Sequence, residues 1–287
     1  MIGYRYIRTS KVDWRVHQGA LIPLTMAHAV SLPSFLELLR LLFRYQALFI
    51  RWEERFDSLE DSSWWHIIKS EDENIELLSK NTRSKVRRGH RRFVSSLSSR
   101  REIFDEGFDV YSTAFDRYKT FEPMLSLTEF QKAINALPAE TEFWAVREIS
   151  TNQLVAFSEN LVRDNACFYN TIWFKPEALR SYAGYIMFFE MNKYYLNHCR
   201  VKYVSDGTRS ISHQTNIHEF LQEKFGFRKA YSLLRIRYFP GIGLIINLIY
   251  PFRRLFENRS LGVFQKISVL LRQESIRRSC LAIGRKI

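Results

Sequence analysis

Cysteine is scarce in this chain: three in 287 residues, Cys167, Cys199 and Cys280, odd in number and scattered. That excludes a disulfide framework, and reduced thiols on or beside core segments of a cytosolic protein are the expectation. Metal-ligand spacings, a P-loop and a Ser-His-Asp order are also missing, so no metal is expected. No internal repeat or low-complexity tract occurs. The opening residues MIGYRYIRTSKVDWRVHQ lack the uninterrupted apolar stretch of a signal peptide. The apolar run at 244–250 (LIINLIY) is too short to span a bilayer. Chemistry by positioning and proton relay needs none of these missing parts.

What the chain does have is a core and a charge. Hydrophobic residues make up 46% and aromatics 15%, enough for one large domain or two closely packed ones, and too apolar for disorder. The net charge of +13 points to an anionic partner: tRNA, a nucleotide sugar, lipid phosphate or a membrane surface. Seven basic residues and no acidic one fall between Lys80 and Arg92. On a helix, Lys80, Arg83, Arg87 and Arg91 lie three or four apart and form one stripe, whose mutual repulsion an anion relieves. A solvated face is the plainer reading. No zinc-finger spacing or RNA-recognition aromatic signature accompanies the stripe, and no specific DNA binding is expected.

The order of elements is legible between residues 141 and 238. Residues 142–149 (EFWAVREI), 154–162 (LVAFSENLV) and 167–174 (CFYNTIWF) carry the alternation and β-branched or aromatic content of three strands on short links, an antiparallel meander. Pro176 suits a helix start, and residues 179–196 are apolar on nearly every face, as a helix packed against a sheet would be. A short strand at 201–204 ends on Ser205-Asp206-Gly207-Thr208. Thr215-Asn216 offers an N-cap for a helix bearing Ile217, Phe220, Leu221 and Phe225; Gly226 stops it, and residues 233–238 return as a strand. Upstream, residues 102–104 read as a strand, 108–118 as a helix, and 127–137 as a helix begun by Ser126 with Glu129 in its first turn.

This order resembles the GNAT acyltransferase fold, and the segment TNIHEFLQEKFGFRKAY at 215–231 is the sharpest match. Family members carry a helix ending Leu-Tyr-Glu-Lys-Leu-Gly-Phe where this chain has Leu221-Gln222-Glu223-Lys224-Phe225-Gly226-Phe227. The family's tyrosine, the acid that protonates a leaving thiolate, falls on Gln222, which cannot do general-acid work. The family's pyrophosphate loop falls on Arg180-Ser181-Tyr182-Ala183-Gly184-Tyr185, where Tyr185 occupies a position the family keeps small so that backbone amides can approach phosphates.

The stretch LSKNTRSKVRRGH at 78–90 is similar to the basic helix of Fem-type aminoacyltransferases, which are built from two GNAT-like halves and join amino acids from aminoacyl-tRNA to cell-wall precursors. In residues 1–98, a helix at 35–45, strands at 47–53 and 64–69 and a basic helix at 73–94 fit a reduced first half. The resemblance implies a mixed, mostly antiparallel central sheet flanked by helices in a tandem arrangement. The GNAT-like acyltransferase domain would span 99–238 and a basic tail 239–287.

It also implies a donor, acyl-CoA or aminoacyl-tRNA, held by Lys80, Arg83, Arg87, Asn170, Arg180, Gly184, Thr208 and Arg209. In this fold the donor enters where two central strands part, here 167–174 and 201–204. Asp206 and His213 are the candidates for taking a proton from the attacking amine. Asp206-Gly207 is equally an ordinary turn. Glu159 and Asn170 lie in strands of unknown register.

The tail adds nine basic residues against two acidic from 253 to 287, with Val263, Phe264, Ile267, Leu270 and Leu271 at helical spacing over 261–283. Two readings stand for it: docking on an anionic membrane surface, or covering the core. Three functions remain open. They are acyl or aminoacyl transfer to an amine on a surface sugar or its precursor, anion binding by an inactive relative, and acetyl-CoA-dependent N-acetylation. A cytoplasmic location, peripheral at the inner membrane surface, accompanies the first.

Overall fold

Two serines show how local sequence sets element ends. Ser34 with Glu37, and Ser126 with Glu129, form capping boxes in which serine and glutamate satisfy each other's backbone amides. The computed structural model describes residues 5–9, 12–17, 19–115, 123–211, 216–256 and 262–284. Its strands are β1 (Arg5–Ile7), β2 (Trp14–His17), β3 (Ala20–Pro23), β4 (Phe49–Ser58), β5 (Trp64–Lys69), β6 (Phe93–Ser98), β7 (Thr141–Glu148), β8 (Leu154–Arg163), β9 (Ala166–Phe174), β10 (Val204–Thr208) and β11 (Arg228–Tyr238). Its helices are α1 (Phe35–Tyr45), α2 (Lys80–His90), α3 (Arg100–Phe115), α4 (Leu127–Ala136), α5 (Pro176–Arg180), α6 (Ala183–Asn192), α7 (Ile217–Phe225), α8 (Ile242–Ile249) and α9 (Gly262–Gly284).

Three expectations need correction. Residues 102–104 are helical, not a strand, because Glu102 accepts from the Ser99 N–H at 2.8 Å and the Ser98 hydroxyl at 2.9 Å and so starts α3. The basic helix covers 80–90 rather than 73–94, and β6 follows it. The strand expected at 201–204 begins at Val204. Val201 and Lys202 instead donate to the carbonyls of Tyr195 and Asn165, closing the π-helical turn Lys193–His198 that extends α6.

Two compact units form. One contains Ile68–Gly207 and Ile217–Arg228; the other contains Arg5–Ile67, Thr208–Asn216 and Lys229–Ile287. In the first, strands run in the order β10-β9-β8-β7-β6, antiparallel except for β9 with β10. On one face α3 and α4 pack through Tyr111, Phe130 and Phe157, whose ring centroids lie 5.4 and 6.2 Å apart in sequence. On the other lies α6, whose buried residues are apolar but for Asn192. Helix α2 comes close against α6: a Cβ on Gly89 would sit 3.1 Å from the Tyr182 carbonyl and 3.3 Å from Ile186.

The second unit repeats part of this plan. A hairpin, β2-β3, is followed by helix α1 and then by β4, which pairs parallel to β3; the first unit has hairpin β8-β9, helices α5 and α6, and β10 parallel to β9. One core of the second unit gathers Trp14, Leu21, Leu38, Leu42 and Ile50. Another joins Trp64, Leu233 and Leu234 to Ile276 and Cys280 of α9. Helix α9 therefore covers the core, with Glu274 fully buried and held by Arg277, Arg278 and the Tyr238 hydroxyl. Cys167 and Cys280 are buried free thiols; Cys199 is free but exposed, contrary to the expectation of core thiols.

Gly89→Val forces two branched methyl groups into the α2–α6 contact and is expected to lower unfolding free energy by about 1–3 kcal/mol in urea titration. An unchanged midpoint would mean the helices separate at no cost.

Candidate functional site

The ladder between β9 and β10 is short. Val204 pairs with Cys167 and Ser205 with Phe168, and β9 runs on to Phe174 while β10 ends at Thr208. Past the last pair, Gly207 adopts φ +87°, and a Cβ there would meet the Phe168 ring at 2.9 Å, so glycine is required for both reasons. Between the two come the buried groups.

Asp206 lies 3.3 Å from Nε2 of His218, which α7 presents on its buried face with Leu221 and Phe225. The side chains keep only 11% and 9% of their surface. Burial raises the Asp206 carboxyl above the usual aspartate range, and the His218 hydrogen bond and charge offset this in part. On the neighbouring strand Tyr169 donates to Asn192 Oδ1 at 2.8 Å, and Asn192 donates to Glu73 at 2.7 Å. Lys69 lies 3.5 Å from Glu73 and donates to the Phe225 carbonyl at 2.8 Å. Burial lifts the Tyr169 phenol well above its ordinary range, with the charges of Cys167, Glu73 and Asp206 adding to the effect. Glu73 is raised by burial too, against the pull of Lys69. The result is a proton-holding cluster drawn from β5, β9, β10, α6 and α7.

The sequence candidates distribute unevenly around it. Asp206 joins it through His218, and lies on a strand and not in a turn beyond one. His213 lies outside the described residues. Thr208 and Arg209 belong to the second unit, where Arg209 donates to the Ser63 carbonyl at 2.8 Å. Asn170 is the extra residue of a β-bulge, since Asn160 pairs with Tyr169 and Glu159 with Thr171. The paired Glu159 is a buried carboxyl that burial raises against the pull of the Arg100 charge, and it lies on the opposite side of β8 from Asn160. Gly184 is buried in the first turn of α6, and Arg180 is exposed at the end of α5.

The basic stripe is also corrected. Arg83 and Arg87 both pair with Glu76, which a 3₁₀ turn at Ile75–Leu77 places beside α2, although none lies within the helix itself. Lys85 donates to the Tyr185 hydroxyl at 3.1 Å, and Arg92 reaches Ser181 at 2.9 Å and Glu148 at 3.0 Å. Lys80, Arg88 and Arg91 remain exposed without a carboxylate partner among the described residues. The Tyr185 ring packs on Phe220, 5.0 Å between centroids.

No protein-family model matches the sequence, and no curated protein matches it. Solved structures do. L-PGS from Bacillus licheniformis superposes with a TM-score of 0.54 at 14% identity, over 93% of this chain and 88% of that one. FemX gives 0.54 at 11% identity, over 86% and 90%. The chain has a GNAT-like, Fem-type fold. A third such structure is the C-terminal domain assigned to a lysylphosphatidylglycerol synthetase of Agrobacterium fabrum, with a TM-score of 0.50 at 9% identity over 86% of this chain and 87% of that one. Among the described residues no cluster of three or more His, Cys, Asp or Glu is placed to hold a metal ion.

A carboxyl whose folded-state pKa is raised holds its proton more tightly folded than unfolded. Its ionisation therefore lowers stability as pH rises through that range. Asp206→Asn is expected to be more stable than the parent at neutral pH, with the difference closing as pH falls into the ordinary aspartate range. Urea unfolding at the two pH values checks this; a less stable variant at neutral pH would mean the ionised pair with His218 is a net stabiliser.

Proposed function

We propose that the chain transfers an acyl or aminoacyl group from an activated donor to an amine. What supports this is the Asp206–His218 pair just past the end of the β9–β10 ladder, the two strands between which the resemblance to the GNAT fold would bring the donor. The amine nitrogen attacks the donor carbonyl carbon, a C–N bond forms, and the bond from that carbon to the donor's oxygen or sulfur breaks. Asp206 orients the imidazole; His218 takes the proton from nitrogen and returns it to the leaving atom. His218 stands one helical turn before Gln222 on the same face of α7, so it supplies the acid that glutamine cannot. Tyr169, kept protonated, is a hydrogen-bond donor at the cluster, not a base.

Aminoacyl-tRNA is the donor the surface favours. Lys80, Arg88 and Arg91 leave cationic charge free on α2, and α2 packs on the first turns of α6, where the GNAT frame holds the donor's phosphates. The fold neighbours L-PGS and FemX support the reading at the level of architecture. The acceptor is proposed as an amine on a cell-surface sugar or its precursor.

A second reading has its own observation. Asp206 and His218 are nearly enclosed, and an enclosed carboxylate–imidazole pair is also what a structural buried pair looks like. In that case the fold is an anion-binding module without turnover.

A thermal-shift panel of acetyl-CoA, charged tRNA and nucleotide sugars separates donors, since a ligand at a hundred times its dissociation constant stabilises by about 2.7 kcal/mol. With the stabilising donor in hand, Asp206→Ala and His218→Gln are each expected to lower turnover about a hundred- to ten-thousand-fold while donor binding persists. Unchanged turnover in both variants would remove the pair from the mechanism. Binding of tRNA that disappears as salt rises, with no turnover in the parent, would favour the module.

A further inference from the structure

The second unit leaves an apolar surface that its own core does not use. Within twelve consecutive residues of α8 and the 3₁₀ turn Tyr250–Leu255, five side chains are between 53% and 65% exposed: Leu244, Ile245, Leu248, Phe252 and Leu255. Only Ile246 of α8 is buried. Scattered exposed leucines need no explanation, but five on one short segment form a patch. The surface continues onto α1. Phe43 packs on Phe239, the residue just before the bend into α8, with 4.7 Å between ring centroids. Leu36 and Phe43, seven apart and so on one helical face, are 64% and 56% exposed.

Cations surround this surface. Arg40 and Arg44 are exposed on the same side of α1 as Leu36 and Phe43, and Arg254 is exposed beside Phe252 and Leu255. Arg253 stacks on the Tyr250 ring at 4.7 Å, and Arg237 stacks on exposed Phe35 at 4.2 Å. From residue 228 to 256 the sequence has no Asp or Glu. None of Arg40, Arg44, Arg253 and Arg254 has a carboxylate partner among the described residues. A protein partner of ordinary composition would meet both halves of this surface poorly. Anionic lipid meets both: headgroup phosphates face the arginines, and acyl chains receive the leucines and phenylalanine.

We infer that α8 with its 3₁₀ turn, flanked by the outer face of α1, docks the protein on an anionic bilayer surface, inserting Leu244, Leu248 and Phe252 to interfacial depth. The helix lies in the interface and does not cross it: no helix among the described residues is long and apolar enough to span a membrane. This inference is independent of the proposed reaction, because none of these residues is placed at Asp206 or His218.

The test is cosedimentation of the full chain with phosphatidylcholine vesicles, with and without about a third phosphatidylglycerol. The expected result is binding to the anionic vesicles alone. Leu244→Ser with Leu248→Ser should weaken it by roughly tenfold or more. Arg253→Ala with Arg254→Ala should weaken it by roughly twenty-fivefold, taking about fivefold per arginine. All four positions are on or at the edge of the surface, so an unchanged thermal midpoint shows that the fold survives, and Leu255→Ser gives a second probe if it does not. Two outcomes overturn the inference. One is vesicle binding that the serine variants leave intact and that moderate salt abolishes, which is adsorption by net charge. The other is a doubled mass in light scattering that Leu244→Ser with Leu248→Ser returns to monomer, which means a second copy covers the face.

Discussion

Two parallel residue pairs tie β10 to β9, and beyond them backbone and side chains need other partners. The structure supplies these from helices on the same sheet face. Asp206 turns to His218 of α7, and Tyr169 turns to Asn192 of α6 and through it to Glu73 and Lys69. A buried polar group left alone costs more than a hydrogen bond returns, so each member fixes the next. The cluster thereby positions α6 and α7 against the strands.

Charge is organised by a similar logic. The stripe on α2 is cationic in sequence, yet Glu76 draws in Arg83 and Arg87, and Glu148 and Ser181 hold Arg92. What remains available is a smaller set on the rim of the helix. In the second unit Arg277 and Arg278 of α9 are likewise taken up by Glu274, whereas the arginines beside α8 and on α1 keep their charge for solvent. Net charge alone does not separate these cases. Nearby carboxylates do.

Much of the fold was legible because its signals are local. The alternation at 142–149, 154–162 and 167–174, Pro176, the capping Ser126 and the Gly226 stop give β7, β8, β9, α5, α4 and the end of α7 within a few residues. The misses had competing local readings. The Glu102 side chain belonged to a helix cap, so a β-favouring triplet became the first turn of α3. Strands β1, β2 and β3 were not seen at all, being three or four residues long and too short for periodicity to register. Of the buried pair, the sequence singled out Asp206 and not the residue it meets. His218 carried a signal, a polar residue at the spacing of Leu221 and Phe225 on a buried stripe.

By itself the sequence determined most of the succession of strands and helices from residue 127 to 238, the cap at Ser126 and the excess of positive charge, because an element and its cap depend on residues within a few positions of one another. Tertiary structure decided the rest. It settled which carboxylate neutralises which arginine, which histidine meets Asp206, that α9 covers the core while α8 leaves its apolar face bare, and which face of β8 Glu159 occupies. Those outcomes rest on contacts between residues far apart in the chain, such as Glu73 with Asn192 and Lys69 with the Phe225 carbonyl. No local propensity encodes such pairs; packing and the need to satisfy buried polar groups select them.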